Sequence, residues 1–170
     1  KGDHRSQVLD GMVNLLQKTM LSQPETSAPI SILSVAASQE VGIATFNIAK
    51  RNRATNHLTG YGTTQAGGIR ETHTVITISL DWLRERLPAP HVLKIDVEGA
   101  EVNVLEGAQK LLTETRPIVI CEVLQTNYQR VTTIFKDLGY TLYDSDRLPD
   151  YTQPVDSATP NILATPTPVF

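Results

Sequence analysis

Residues 91–108 constrain this chain more than any other stretch, because an apolar strand runs straight into a helix while carrying ionisable side chains. Leu93, Ile95 and Val97 alternate with Lys94, Asp96 and Glu98, and a period of two puts the apolar groups on one face and the charged groups on the other. Gly99 breaks the strand. From Ala100 the period changes, with Val102, Leu105, Gln109 and Leu112 on one stripe and Leu111 beside it, the spacing of a helix packing on a sheet. Residues 117–123, Pro-Ile-Val-Ile-Cys-Glu-Val, are nearly all apolar or β-branched, as expected of a strand buried on both faces of a parallel sheet. The three segments predict a right-handed βαβ crossover. Asp96, Glu98 and Glu122 then sit at the carboxyl ends of its strands, outside which open parallel sheets keep their ligand crevice.

A charged strand face also suits a plain solvated margin. Carboxylates gathered at neighbouring strand ends repel, however, so at least one should hold a proton, bind a cation or face an electropositive ligand. A working site explains that arrangement better than a decorative margin.

The flanking segments fill in a coarse map. Residues 5–20 read as a helix through Val8, Leu9, Met12, Leu15, Leu16, Thr19 and Met20. Ile30–Ala36 and Ile43–Ile48 read as two strands of a hairpin turning at Gln39–Gly42. Residues 49–73 form a long polar loop, and Thr74–Ile78 a further strand. Ser79 caps a short helix over Leu80–Arg86, which Pro88 and Pro90 end. Beyond the second core strand, Val131, Ile134, Phe135 and Leu138 fall at helical spacing, and Gly139 stops that helix before a strand over Tyr140–Tyr143. Residues 149–170 read as irregular, with Asn161–Ala164 a possible edge strand and Pro166 and Pro168 in a loose tail.

Composition narrows the function classes. With 170 residues, 40% of them hydrophobic, the chain is long enough for one domain with a core. A net charge of -3 with dispersed basic residues provides no field for nucleic acid. No apolar run approaches the ~20 residues of a spanning helix. The single cysteine, Cys121, forbids an internal disulfide and fits a cytoplasmic protein. Lying in an apolar run, Cys121 reads as a small buried hydrophobe rather than a nucleophile. His4, His57, His73 and His91 lack metal-ligand spacing, and His57, in the polar loop, is the one placed to cover a substrate. Gly60-Tyr61-Gly62 looks like the start of a dinucleotide fingerprint. Gln65 stands where its third glycine should be and no buried strand precedes it, so a flexible hairpin or loop is expected, a reading that Gly67-Gly68 supports.

The words of the central block resemble those of the FkbM-type methyltransferases. Lys94-Ile95-Asp96-Val97-Glu98-Gly99-Ala100-Glu101 followed by Val104-Leu105-Glu106-Gly107-Ala108 is similar to that family's most recognisable stretch, at its fourth strand and following helix. Weaker matches flank it in order: Val35-Ala36-Ala37-Ser38 with Gly42, Ser79-Leu80-Asp81, Arg116-Pro117 through Glu122, Gly139-Tyr140 and Asn161-Ile162-Leu163-Ala164. The resemblance implies an α/β, Rossmann-like methyltransferase fold, a mostly parallel sheet with flanking helices. It implies an S-adenosylmethionine-dependent O-methyltransferase acting on a small molecule, sugar or secondary-metabolite hydroxyl. The first strand and glycine-rich turn that hold the cofactor in such enzymes have no counterpart before residue 30, nor has the acidic residue ending the second strand. The chain is therefore expected to be a single domain, incomplete at its N-terminal side.

Methyl transfer needs an acceptor oxygen aligned with the methyl group and relieved of its proton. Asp96 is the first candidate to orient that hydroxyl, as base directly or through a cation, and Glu98 the second. Lys94 either holds these carboxylates ionised or makes a local ion pair. Glu122 completes the catalytic set, and with Asp96 it offers oxygen ligands that a divalent ion could share, although the expected site contains no metal. Ala36, Ala37 and Ser38 are expected at the adenine by analogy, or are ordinary tight packing at a strand end. Glu101 and Glu106, in the first turns of the motif helix, read as structural. Two rivals stand beside this reading: a hydrolase using the carboxylates as metal ligands, which would usually add histidines at strand ends, and a non-catalytic methyltransferase-like binding module.

Overall fold

The β-branched run Thr72-His73-Thr74-Val75-Ile76-Thr77-Ile78 is the longest strand former in the chain, and the first sheet is assembled on both of its edges. The computed structural model describes residues 14–16, 18–20, 22, 29–50, 56–61, 68–149 and 152–167. The chain divides into two units, Lys1–Val35 and Ala36–Phe170. In the first, residues 14–16 and 18–20 are helical, within the predicted helix, whose earlier part lies outside the described residues.

The second unit begins with β1 (Ala36–Ala37), β2 (Gly42–Ala49), β3 (His57–Leu58) and β4 (Ile69–Ile78). Their order is β1-β4-β2-β3. The expected hairpin over residues 30–48 does not form. Instead β1 pairs parallel with the end of β4, Ala36 opposite Thr77, while β2 pairs antiparallel with the whole of β4, from Gly42 opposite Thr77 to Ala49 opposite Ile69. A long β-branched strand with two free edges outcompetes a local turn, and the polar loop is the connection of this wider hairpin. That loop also carries β3, which adds to β2 with His57 opposite Asn47. In the Gly60-Tyr61-Gly62 stretch, Gly60 has φ 97 and Tyr61 N–H donates to Leu58 O at 3.0 Å, a turn as expected. Gly62, Gln65 and Gly67 lie outside the described residues.

Ser79 then caps α1 (Leu80–Arg84), its hydroxyl accepting from Trp82 N–H at 3.1 Å. The motif strand is β5 (Val92–Ile95), followed by α2 (Glu101–Glu106), a π-helical turn over Leu111–Thr115, and β6 (Ile118–Glu122). β5 and β6 are parallel, Ile95 opposite Cys121, so the predicted crossover is present. Its buried stripe is Val104, Leu105, Ala108, Leu111 and Leu112. Val102 is only half-buried and Gln109 is exposed, because the buried stripe runs beside the expected one, through Val104 and Ala108 at unbroken helical spacing. α3 (Tyr128–Asp137) buries Val131, Ile134 and Phe135, and Gly139, with φ 70, reverses the chain into β7 (Thr141–Asp144). Tyr140 N–H bonds back to Phe135 O at 2.9 Å.

β8 (Asn161–Thr165) corrects two expectations. It is no edge strand: the second sheet runs β5-β6-β8-β7, and Ile162, Ala164 and Thr165 are fully buried. Nor is the sheet mostly parallel, since β8 pairs antiparallel with both β6 and β7. Only β1 with β4 and β5 with β6 are parallel among the described pairings. Parallel neighbours need a crossover of a dozen residues or more, usually a helix; among the described residues between β7 and β8 only a short 3-10 turn is present, over Ser145–Arg147, and β8 runs antiparallel to β7. One face of this sheet, through Ile95, Val119, Cys121 and Ile162, packs on α2 and α3 in the main core. On the other, Val92 and Ile120 remain exposed at the β5–β6 end.

Candidate functional site

Alternation along β5 places the motif side chains as its period dictates: Leu93 half-buried, Lys94 exposed, Ile95 buried and Asp96 exposed. The register of Ile95 with Cys121 brings the next residue on each strand, Asp96 and Glu122, to the same end of the sheet and onto its exposed face. Lys94 Nζ lies 3.7 Å from Asp96 Oδ2 and donates to Ile95 O at 3.2 Å. Both side chains are about half exposed, so this is a loose surface pair of small energetic value.

The chain turns over Glu98 and Gly99, both in left-handed conformation with φ 49 and 105. Glycine accepts that geometry freely, but a glutamate there needs outside support. Glu101 provides it. Its carboxylate is almost wholly buried, at 1% exposure, and Oε1 accepts from Gly99 N–H at 2.6 Å while Oε2 accepts from Asn127 Nδ2 at 2.6 Å. The same Asn127 nitrogen donates to Gly99 O at 3.0 Å. Glu106, on the following turn, instead pairs with Arg130 on the surface, Nη2 to Oε1 at 2.7 Å.

Half-buried at this turn, the Glu98 carboxyl titrates above the usual glutamate value. Burial is the main cause, and the negative fields of Glu122, Asp96 and Glu101 add to it, opposed weakly by His57. Asp96 and Glu122, the other two carboxylates expected at the strand ends, thus both act on Glu98. His57, in the loop strand β3, is near enough to be felt by Glu98. Its Nε2 is 3.4 Å from Asn47 Nδ2, and Asn47, buried on β2, accepts through Oδ1 from the Thr59 hydroxyl at 3.3 Å.

Ala36 and Ala37 form β1, half-buried, and Ser38 N–H donates to Ile78 O at 2.8 Å. Ala37 also packs against the core, and the main chain of Ser38 and Gln39 runs directly over Gly107. Cys121 is fully buried and its thiol, pushed up to about 12 chiefly by burial, stays protonated. It has no nucleophilic character at neutral pH. Glu101, expected to be structural, and Asn127 hold the turn. A glutamate two residues after a strand-ending glycine is the only signal of this in the sequence; Asn127 arrives from a separate element and has none.

Among the described residues, no group of three or more His, Cys, Asp or Glu side chains is arranged to hold a metal ion, and no helix is long and apolar enough to cross a membrane. A parallel crossover with carboxylates at its strand ends is a setting for small-molecule chemistry. The model of the methyltransferase FkbM domain matches residues 13–142, which span both sheets up to β7, and the chain belongs to this methyltransferase family. Family membership implies a methyltransferase fold, within which the sheets described above are mixed. No curated protein and no solved structure matches the chain.

Proposed function

We propose that the protein is an S-adenosylmethionine-dependent O-methyltransferase of the cytoplasm whose acceptor is a hydroxyl of a small molecule, sugar or secondary metabolite. The observation that carries this reading is the gathering of Asp96, Glu98 and Glu122 at the ends of the β5–α2–β6 crossover in a chain of a methyltransferase family. In this reading the crossover belongs to a Rossmann-like sheet, and the exposed side of those strand ends receives the acceptor. Ala36, Ala37 and Ser38 fit the adenine end of the donor, being half-buried with nothing larger than a hydroxymethyl side chain. Bound there, S-adenosylmethionine supplies an electrophilic methyl group.

The chain's own residues do the rest. Asp96, exposed at its strand end, accepts a hydrogen bond from the acceptor hydroxyl and fixes the direction of its lone pair. Glu98, whose affinity for a proton is raised by burial, is tuned to take the proton that the hydroxyl loses. Lys94 and Glu122 set the local charge balance around the pair. Positioning by such groups is worth several orders of magnitude in rate.

Calorimetric titration of S-adenosylmethionine into this chain and into the product of its full reading frame tests the reading. Binding to either supports it, and Asp96→Asn in the binding form is then expected to lower turnover by roughly 100-fold or more with donor affinity retained. No binding to either sinks it, and the carboxylates then belong to a non-catalytic module.

A further inference from the structure

We infer that Glu101 and Asn127 are positioning residues: together they lock the Glu98–Gly99 turn and so aim the Asp96 and Glu98 carboxylates at the acceptor, a role that rests on the methyltransferase reading above. The turn is the one place in the crossover where two successive residues are left-handed, and one of them is not glycine. Such a conformation persists only where its surroundings over-determine it. Here they do. Gly99 has both main-chain groups held, N–H by Glu101 Oε1 at 2.6 Å and C=O by Asn127 Nδ2 at 3.0 Å. The two side chains are themselves joined, Asn127 Nδ2 to Glu101 Oε2 at 2.6 Å.

Ordinary helix capping does not account for this arrangement. The residue preceding α2, Ala100, has no side-chain cap, and both oxygens of Glu101 are directed at the turn and its clamp rather than at the orphan amides of the helix. A buried carboxylate is costly unless it is hydrogen-bonded, so each of these bonds must form for Glu101 to be where it is. Asn127 comes from the turn before α3, on the far side of β6 in sequence, where its own N–H is bonded to Leu124 O at 2.8 Å. The clamp therefore ties the end of β5 to a separate element. Fixed in this way, the turn keeps the Glu98 carboxyl half-buried in the fields of Glu122 and Asp96 instead of letting it swing into water.

The test is Asn127→Ala in the full chain, read by nuclear magnetic resonance, a neutral-for-neutral change that leaves every charge in place. The Gly99 amide is expected to exchange on the order of tenfold or more faster, and the Glu98 carboxyl to titrate closer to the ordinary glutamate value, while the core amide of Val119 keeps its protection. An unchanged Gly99 amide with an unchanged Glu98 titration overturns the inference. Should Asn127→Ala lose Val119 protection as well, Asn127→Ser retains a donor; its Gly99 exchange is then expected to exceed that of the natural protein, and equality overturns the inference. Both readings are independent of the donor: absence of S-adenosylmethionine binding in every form, with the Glu98 shift present, removes the methyltransferase reading and leaves the clamp standing.

Discussion

Glu98 holds its proton more tightly in the native state than in the unfolded chain. A carboxyl of this kind contributes stability that is fully present below its unfolded value, near 4.5, and is lost as the pH rises through its higher native value. Glu98→Gln is therefore expected to melt at a higher temperature than the natural protein at neutral pH and at the same temperature below about pH 4. Equal melting temperatures across the whole range contradict the raised value. The sign matters for function, because a group kept at the expense of stability is a group retained for another reason. The sequence makes the charged alternation of Lys94, Asp96 and Glu98 plain, since it depends only on a period of two. It hides the left-handed backbone of Glu98, which depends on Asn127 reaching the turn from another element.

Between elements, three of the family-like stretches meet at one junction. Gly107, ending α2, passes beneath Ser38 and Gln39; Asp81 of α1 donates its N–H to Gly107 O at 2.9 Å; and the Asp81 carboxylate accepts from Lys110 and Leu111 N–H at 3.0 and 2.8 Å. A Cβ on Gly107 would collide with Ser38 O and lie 2.9 Å from Gln39 Cα and O. Intrinsic preference favours alanine by about 1 kcal/mol in a helix interior, yet Gly107→Ala is expected to destabilise the protein by about 2 kcal/mol or more, measured by urea unfolding. A neutral or stabilising result means that the two backbones separate easily. Much of the recognisable wording is thus architectural rather than catalytic. Arg116 forms a second junction, with φ 53 and its guanidinium donating to Leu138 O at 3.0 Å, Gly139 O at 3.2 Å and Pro166 O at 3.0 Å, above the Tyr140 ring. A lysine ammonium cannot reproduce that fork, so Arg116→Lys and Arg116→Ala should both lower stability, by about 1–3 kcal/mol; a melting temperature unmoved by either change refutes the clamp. Helices and core strands were legible because their periods are local: Val131, Ile134 and Phe135 are buried where their spacing put them. Strand partners were not. The short, proline-flanked Asn161–Ala164 stretch reads as an edge in sequence, and only its pairing with residues some twenty and forty positions earlier places it inside the sheet.

For the molecule as a whole, the second sheet is covered on one side and open on the other at its β5–β6 end. Among the described residues β5 pairs only with β6, leaving a free edge, and Val92 and Ile120 stand 54% and 36% exposed beside it. An unpaired edge next to apolar surface recruits partners. The 170-residue chain made by itself is therefore expected to self-associate in light scattering as its concentration rises, and Val92→Lys, which charges that edge, to reduce the association. A monomer at every concentration with one cooperative melt contradicts this.

The interior position of β8 governs the order in which this sheet can be made. Among the described residues β7 pairs only with β8, and β8 follows it in the chain, wedged against β6 on its other side. On the ribosome β5, α2 and β6 can come together as soon as they emerge, whereas β7 lacks its native partner until Asn161–Thr165 has been synthesised and placed between it and β6. The sheet is finished by insertion at its centre, so a nascent chain halted before Asn161 carries an orphaned strand rather than a slightly smaller sheet.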